Sequence, residues 1–140
     1  FEPGRFIVGN AAILITKIIY IKKSNNKNFI ILDAGMNNLM RPALYGAHHE
    51  IVPLKKTGQL LNGNFEFVGP VCESSDKFSK QKKFSKIREG DYICLANVGA
   101  YGMSLSSNYN TRPSIAEVMV SGSKHRVIRK RQSLKNLVNN

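Results

Sequence analysis

Short apolar, β-branched runs recur along the chain with turn-forming residues between them, and this rhythm leaves little room for long helices. The runs are Ile13 to Ile21, Phe29 to Leu32, Ile51 to Leu54, Phe65 to Val68, Tyr92 to Leu95, Ile115 to Val120 and His125 to Ile128. Such spacing predicts an antiparallel β domain. Ser24-Asn25-Asn26, Asn62-Gly63-Asn64, Glu89-Gly90-Asp91 and Ser121-Gly122-Ser123 supply the expected turns, the last joining two alternating strands as a hairpin. Helix signals are few. Pro3 followed by Phe6 to Ala12 predicts a short helix before the first strand, Asn37 to Met40 one turn, and Ser133 to Val138 a capped terminal helix. Lys77 to Lys86 is polar enough to be expected as a mobile surface loop.

With 140 residues, 42% of them hydrophobic, the chain suits one domain with its own core. Lys and Arg number 21 against 9 acids, a formal charge of +12 that raises nucleic acid or a membrane surface as partners. The excess is local, however. Six basic residues and no acid lie between Lys77 and Arg88, and six more with no acid between Lys124 and Lys135. Both segments read as solvated faces. Aromatics able to stack on bases are limited there to Phe78 and Phe84, so a nucleic-acid-binding module is the weaker alternative. No apolar run is long enough to span a bilayer as a helix. The opening Phe1-Glu2-Pro3-Gly4-Arg5 carries neither an initiator Met nor a basic leader, and reads as a chain entered midway. Cys72 and Cys94 stand 22 positions apart without a C-x-x-C pattern, so neither a disulfide scaffold nor a metal site is expected. Reduced thiols fit a cytoplasmic location.

Taken singly, the chemistry-bearing residues signal little. Glu73, Ser74 and Asp76 give Cys72 a polar setting that suits an exposed thiol, whereas Cys94 lies in the apolar run Tyr92-Ile93-Cys94-Leu95. His48 and His49 are adjacent, with no third ligand at metal spacing, and read as packing or surface residues. Gly99-Ala100-Tyr101-Gly102 forms a turn that holds a Tyr hydroxyl at a fixed point. Arg41-Pro42-Ala43-Leu44-Tyr45 brings an Arg fork suited to a carboxylate near a Tyr.

Their joint order is specific. Glu2-Pro3-Gly4-Arg5, Asp33-Ala34-Gly35-Met36-Asn37, Arg41-Pro42-Ala43-Leu44-Tyr45 with His48 just after, Gly69-Pro70-Val71-Cys72-Glu73-Ser74 with Asp76, and Gly99-Ala100-Tyr101-Gly102 with Tyr109-Asn110, Arg112-Pro113 and Ala116-Glu117-Val118 follow one another through nearly the whole chain. The sequence thus resembles the carboxy-terminal part of the diaminopimelate decarboxylase family. The resemblance implies a mainly β fold, an antiparallel β-sandwich or Greek-key barrel with a few short helices, similar to the second domain of alanine racemase and ornithine decarboxylase. Residues 1–10 would end the family's (β/α)₈ barrel, whose remainder, with the cofactor-binding lysine, is absent from this chain, and residues 11–140 would be the β domain. In one departure, Asn38 stands where the family commonly has Asp before Leu39, which puts a local cap or charge partner in doubt.

The resemblance also implies the chemistry. The cofactor is pyridoxal 5'-phosphate, with Glu2 at its ring nitrogen and Gly4, Arg5 and Tyr101 at its phosphate. The substrate is meso-diaminopimelate, whose unreactive end is a zwitterion. Arg5, Arg41 and Tyr45, with Tyr101 nearby, suit its carboxylate, and Glu73 suits its ammonium. Ornithine enzymes have Asp after the cysteine where this chain has Glu73, and have no use for the Arg. Cys72 is the expected catalytic acid, since an ordinary thiol is mostly protonated near neutral pH. The family implies a homodimer in which Cys72 and Glu73 serve the partner's site, and no nucleic-acid or membrane partner. A related decarboxylase for ornithine, arginine or carboxynorspermidine is the nearer alternative.

Overall fold

The computed structural model describes residues 1–55 and 57–139. One helical turn, α1 (Arg5–Val8), runs into a 3₁₀ turn (Gly9–Ala11) and then into the long strand β1 (Leu14–Ser24). Along its first half β1 buries Leu14, Thr16 and Ile18 and exposes Ile15, Lys17 and Ile19, the alternation of a strand with one face on the core. Asn25, at φ +48, turns the chain into β2 (Lys27–Leu32), which pairs antiparallel with β1. After β2 come α2 (Arg41–Tyr45), β3 (Ile51–Pro53), β4 (Leu60–Val68), β5 (Lys77–Ser85) and β6 (Tyr92–Leu95). These strands make one six-stranded sheet in the order β3-β6-β1-β2-β4-β5, curled into a nearly closed barrel. β7 (Glu117–Ser121) and β8 (Lys124–Arg129) form a separate hairpin around Gly122-Ser123, and α3 (Leu134–Val138) ends the described chain. The Ser133 hydroxyl caps α3 by accepting from the Asn136 N–H at 3.1 Å, as its sequence predicts.

The mainly β barrel with short helices is as expected, with four corrections. Strand β2 pairs in parallel with β4, from Lys27 opposite Asn64 to Ile31 opposite Val68, so the sheet is mixed and not wholly antiparallel. Asn62-Gly63-Asn64 is not a turn but an irregularity inside β4, where its register against β5 shifts. The turn expected at Asn37 to Met40 closes earlier, with the Asn38 and Leu39 N–H groups donating to the Gly35 carbonyl, and the helix proper begins at Arg41. The Lys-rich stretch is strand β5 and not a mobile loop. Phe78 and Phe84 anchor its two ends in the core, while Lys80 and Lys82 reach across to Glu66 and Asn64 of β4.

The core lies between the strands. Ile18, Leu32, Phe67, Ile93 and Leu95 are wholly buried, and Phe84 packs its ring edgewise on Phe67 with centroids 4.8 Å apart. Each such side chain contributes about 1.5–3 kcal/mol by leaving water. The assignment of β5 is testable by denaturant unfolding. Phe84→Ala costs about 3–5 kcal/mol, whereas exposed Lys83→Ala changes stability by less than about 0.5 kcal/mol. Equal, small effects would return this segment to a loop.

Candidate active site

Two of the expected site segments meet where α1 docks on the loop after β6. The Gly99 N–H donates to the Gly9 carbonyl and the Val98 N–H to the Ala12 carbonyl, each at 3.0 Å, and Arg5 Nη2 donates to the Asn97 carbonyl at 3.1 Å. A Cβ on Gly99 would lie 2.0 Å from the Val8 carbonyl oxygen, so the two backbones approach this closely only with glycine there. Two residues on, Tyr101 sits in the left-handed region at φ +59, a conformation that costs a non-glycine residue about 1–3 kcal/mol. Its hydroxyl then lies 3.9 Å from where a Cβ of Gly4 would be, and Gly4 has the positive φ of +46 that favours glycine. Expected site residues Gly4, Arg5 and Tyr101 are therefore brought together from the two ends of the barrel sequence. Glu2 is exposed beside them, and its carboxylate makes no hydrogen bond or ion pair among the described residues.

The second group is set by the exit of β2. Three consecutive backbone N–H groups there are each taken by a different side chain: Ala34 donates to Thr16 Oγ at 3.1 Å, Gly35 to Asn38 Oδ1 at 3.0 Å and Met36 to Asp76 Oδ1 at 2.7 Å. Thr16 in turn donates to the Asp33 carboxylate at 2.6 Å, which also accepts the Lys17 N–H at 2.8 Å. Asn38 thus still supplies the local acceptor that its replacing Asp had put in doubt. This path delivers α2, which carries Arg41 half-buried and Tyr45 exposed. Arg41 Nη1 lies 3.0 Å from Nε2 of His49, a buried residue. His48, which the motif had included, is exposed instead.

Cys72 and Glu73 stand exposed on the loop between β4 and β5. Asp76 holds that loop: its buried carboxylate accepts the Val71 N–H at 2.8 Å while also accepting Met36. Burial pushes the Asp76 carboxyl up, and these two N–H groups with the nearby charge of Arg112 oppose the rise. Hydrogen bonds from the Ser75 N–H and the Ser74 hydroxyl hold Glu73 below the usual carboxylate range, so it is ionised near neutral pH. No hydrogen bond or ion pair connects Cys72 or Glu73 to Arg5, Arg41, Tyr45 or Tyr101 among the described residues. Burial pushes the Cys94 thiol up, and it lies in β6 as expected. The sequence alone did not point to Thr16, gave Asp76 only as part of a motif and left His49 as a packing or surface residue; the contacts of Thr16 with Asp33, Asp76 with Met36 and His49 with Ala96 are made by chain folding over long separations.

What the arrangement suits is an anion. The buried Nε atoms of Arg5, Arg41 and Arg112 have no hydrogen-bond partner among the described residues, and the charges of both Arg5 and Arg41 bear on His49. A phosphate or carboxylate fits guanidinium groups that, like those of Arg5 and Arg41, have no carboxylate partner among the described residues. The positive φ of Gly4, the Arg5 guanidinium and the exposed Tyr101 hydroxyl give this corner donors of the kind that the phosphate of pyridoxal phosphate would take. Among the described residues no group of His, Cys, Asp and Glu could hold a metal ion, and no helix is long and apolar enough to cross a membrane. Gly99→Ala tests the docking of α1: it forces the two backbones apart and costs about 1–3 kcal/mol, read by thermal unfolding, with Ala100→Gly as the control within this turn. An unchanged midpoint for Gly99→Ala would contradict the close approach.

Residues 6–99 match the family model described as "Pyridoxal-dependent decarboxylase, C-terminal sheet domain". The chain is 46% identical over 138 residues to a diaminopimelate decarboxylase of Zymomonas mobilis and 48% identical over 138 residues to one of Vibrio cholerae, covering 99% and 98% of this chain. It spans about a third of those relatives, 32% of each. A crystal structure of diaminopimelate decarboxylase from Helicobacter pylori complexed with L-lysine superposes with a TM-score of 0.88 at 45% identity, over 98% of this chain and 33% of that one. A matched sheet domain, 46–48% identity and a shared fold over nearly the whole chain lead to one conclusion: this chain belongs to the pyridoxal-dependent decarboxylases, as their carboxy-terminal sheet domain.

Proposed function

We propose that the chain acts within a full-length decarboxylase that converts meso-2,6-diaminopimelate to L-lysine and CO2, and that residues 1–10 adjoin a (β/α)₈ barrel while residues 11–140 form the sheet domain. The observation that carries the substrate is Arg41: a guanidinium on α2 whose only hydrogen-bond partner among the described residues is an imidazole, leaving its charge unneutralised. Arg5, the second cation bearing on the same histidine, adds to a site for the carboxylate that survives the reaction. Support also comes from the similarity to diaminopimelate decarboxylases and from the lysine-complexed structure among them.

Bound pyridoxal phosphate supplies the electron sink that accepts the pair left when CO2 departs. In this reading Gly4, Arg5 and the Tyr101 hydroxyl hold its phosphate, and Glu2 keeps its ring nitrogen protonated. Arg41, Arg5 and Tyr45 bind the distal carboxylate of the substrate and Glu73 its distal ammonium, so only the other end is free to react. The Cys72 thiol returns a proton to Cα. Cys72 and Glu73 stand apart from the Arg5 and Arg41 groups in hydrogen bonding, which supports their serving the site of a second subunit. Exposed Phe6, Ile7, Leu44 and Tyr45, between 54% and 87% accessible, support packing of this face against the barrel and a partner. Two free cysteines suit a reducing cytoplasm.

Two substitutions in the full-length enzyme test the roles. Cys72→Ala removes a proton donor used after binding, so kcat falls by about 10²- to 10⁴-fold while KM changes little; turnover near wild type would assign the proton to another group. Arg41→Ala removes the partner of the carboxylate that L-lysine retains, a loss of about 2–5 kcal/mol, so product inhibition by L-lysine weakens more than about tenfold. Equal inhibition constants would show that Arg41 does not hold the unreactive end.

A further inference from the structure

We propose that His49 is a positioning residue that fixes the Arg41 guanidinium for an anionic substrate group without neutralising it, an inference that rests on Arg41 binding the distal carboxylate. The geometry determines which ring nitrogen does what. β3 and β6 pair through Ile51 opposite Leu95, and the Ala96 N–H donates to the Glu50 carbonyl at 2.9 Å, so the end of β6 is locked beside the residues that precede β3. The Ala96 carbonyl thereby lies 2.8 Å from His49 Nδ1. A carbonyl oxygen only accepts, so Nδ1 carries the proton. Nε2 is then the bare lone pair of a neutral imidazole, and Arg41 Nη1, which only donates, meets it at 3.0 Å. Gly46, in the left-handed conformation, closes α2 and turns the chain back so that residue 49 can reach residue 41.

Both bonds require the neutral ring. A second proton would set Nε2–H against Arg41 N–H, donor against donor. Burial, followed by the charges of Arg41, Arg5 and His48, pushes the His49 pKa below the ordinary histidine value of 6.5, with the Ala96 bond acting in the opposite sense. The chemical consequence is selective. An Asp or Glu in this place would also orient Arg41, but its charge would compete with the incoming carboxylate. A neutral acceptor orients and leaves the full positive charge available.

The test uses the full-length holoenzyme with meso-diaminopimelate as substrate and L-lysine as inhibitor. His49→Ala raises KM and the lysine inhibition constant by about tenfold with kcat within about threefold. His49→Gln, whose amide can both donate to Ala96 and accept from Arg41, restores both to within about threefold of wild type. His49→Glu weakens lysine more than His49→Gln does, although it too offers an acceptor. In an Arg41→Ala background, His49→Ala has no further effect on lysine, the non-additivity expected of a residue acting through another. Additive effects, or kcat and KM lost together with no rescue by Gln, would overturn the proposal and leave His49 a structural residue. Should Arg41→Ala alone leave lysine inhibition unchanged, the carboxylate reading itself fails, whereas an effect of Arg41→Ala without one of His49→Ala refutes only the positioning role.

Discussion

Three backbone N–H groups in succession, on Ala34, Gly35 and Met36, leave the sheet at the end of β2 and have no strand to pair with. Buried amides must find acceptors, and here each finds one from a different part of the chain: Thr16 on β1, Asn38 on the following turn and Asp76 on the loop before β5. The consequence is a fixed path for residues 33–40, and hence a fixed start for α2 with Arg41. Because Asp76 accepts the Val71 N–H with its other oxygen, the same carboxylate also registers the loop that carries Cys72 and Glu73. Arg112 completes the junction by donating to the Asp33 carbonyl. One polar junction in an otherwise apolar barrel therefore sets two of the three segments that the proposed chemistry uses. Gly99 sets the third by letting α1 approach.

How much of this could be read from the sequence follows from the range of each interaction. The strand runs, the Asn25 and Gly122 turns and the Ser133 cap are local, and they lie where the sequence puts them. The parallel pairing of β2 with β4 is not local, and nothing in either segment distinguishes it from an antiparallel partner. β5 was hidden because its anchors are only two phenylalanines with lysines between them. Its strand is stabilised by pairing with β4, not by its own apolar content. The motif residues Gly4, Arg5, Arg41, Tyr45, Cys72, Glu73 and Tyr101 were legible through their order. The acceptors that hold them were not, and of two adjacent histidines only the fold decides that His49 faces inward.

The strong positive charge has a different origin from the site. The excess lies in the segments that hold β5 and the exposed β8; Lys80 of β5 and Lys27 of β2 flank Glu66 on β4, and Arg129 of β8 pairs with Glu117 of β7. A pair near the surface such as Arg129 with Glu117 contributes about 0–1 kcal/mol, whereas the Glu66 carboxylate is buried under its two lysines. At the site the arrangement is reversed. Arg5 and Arg41 are partly buried, are bonded to a carbonyl and an imidazole, and lack a carboxylate partner among the described residues. Two cations kept without counter-charge next to a neutral histidine are costly in the free protein, and they favour a ligand that brings the negative charge with it.

Substrate preference tests this account most directly. The full-length protein, loaded with pyridoxal phosphate, is offered meso-diaminopimelate, L-ornithine and L-arginine separately at equal concentration, and CO2 release is followed with identification of the amine product. An anionic pocket partner at Arg41 predicts release from meso-diaminopimelate with L-lysine as product, and little from the two substrates whose distal end is only a cation. Release from ornithine or arginine at a rate equal to or above that from meso-diaminopimelate would contradict it.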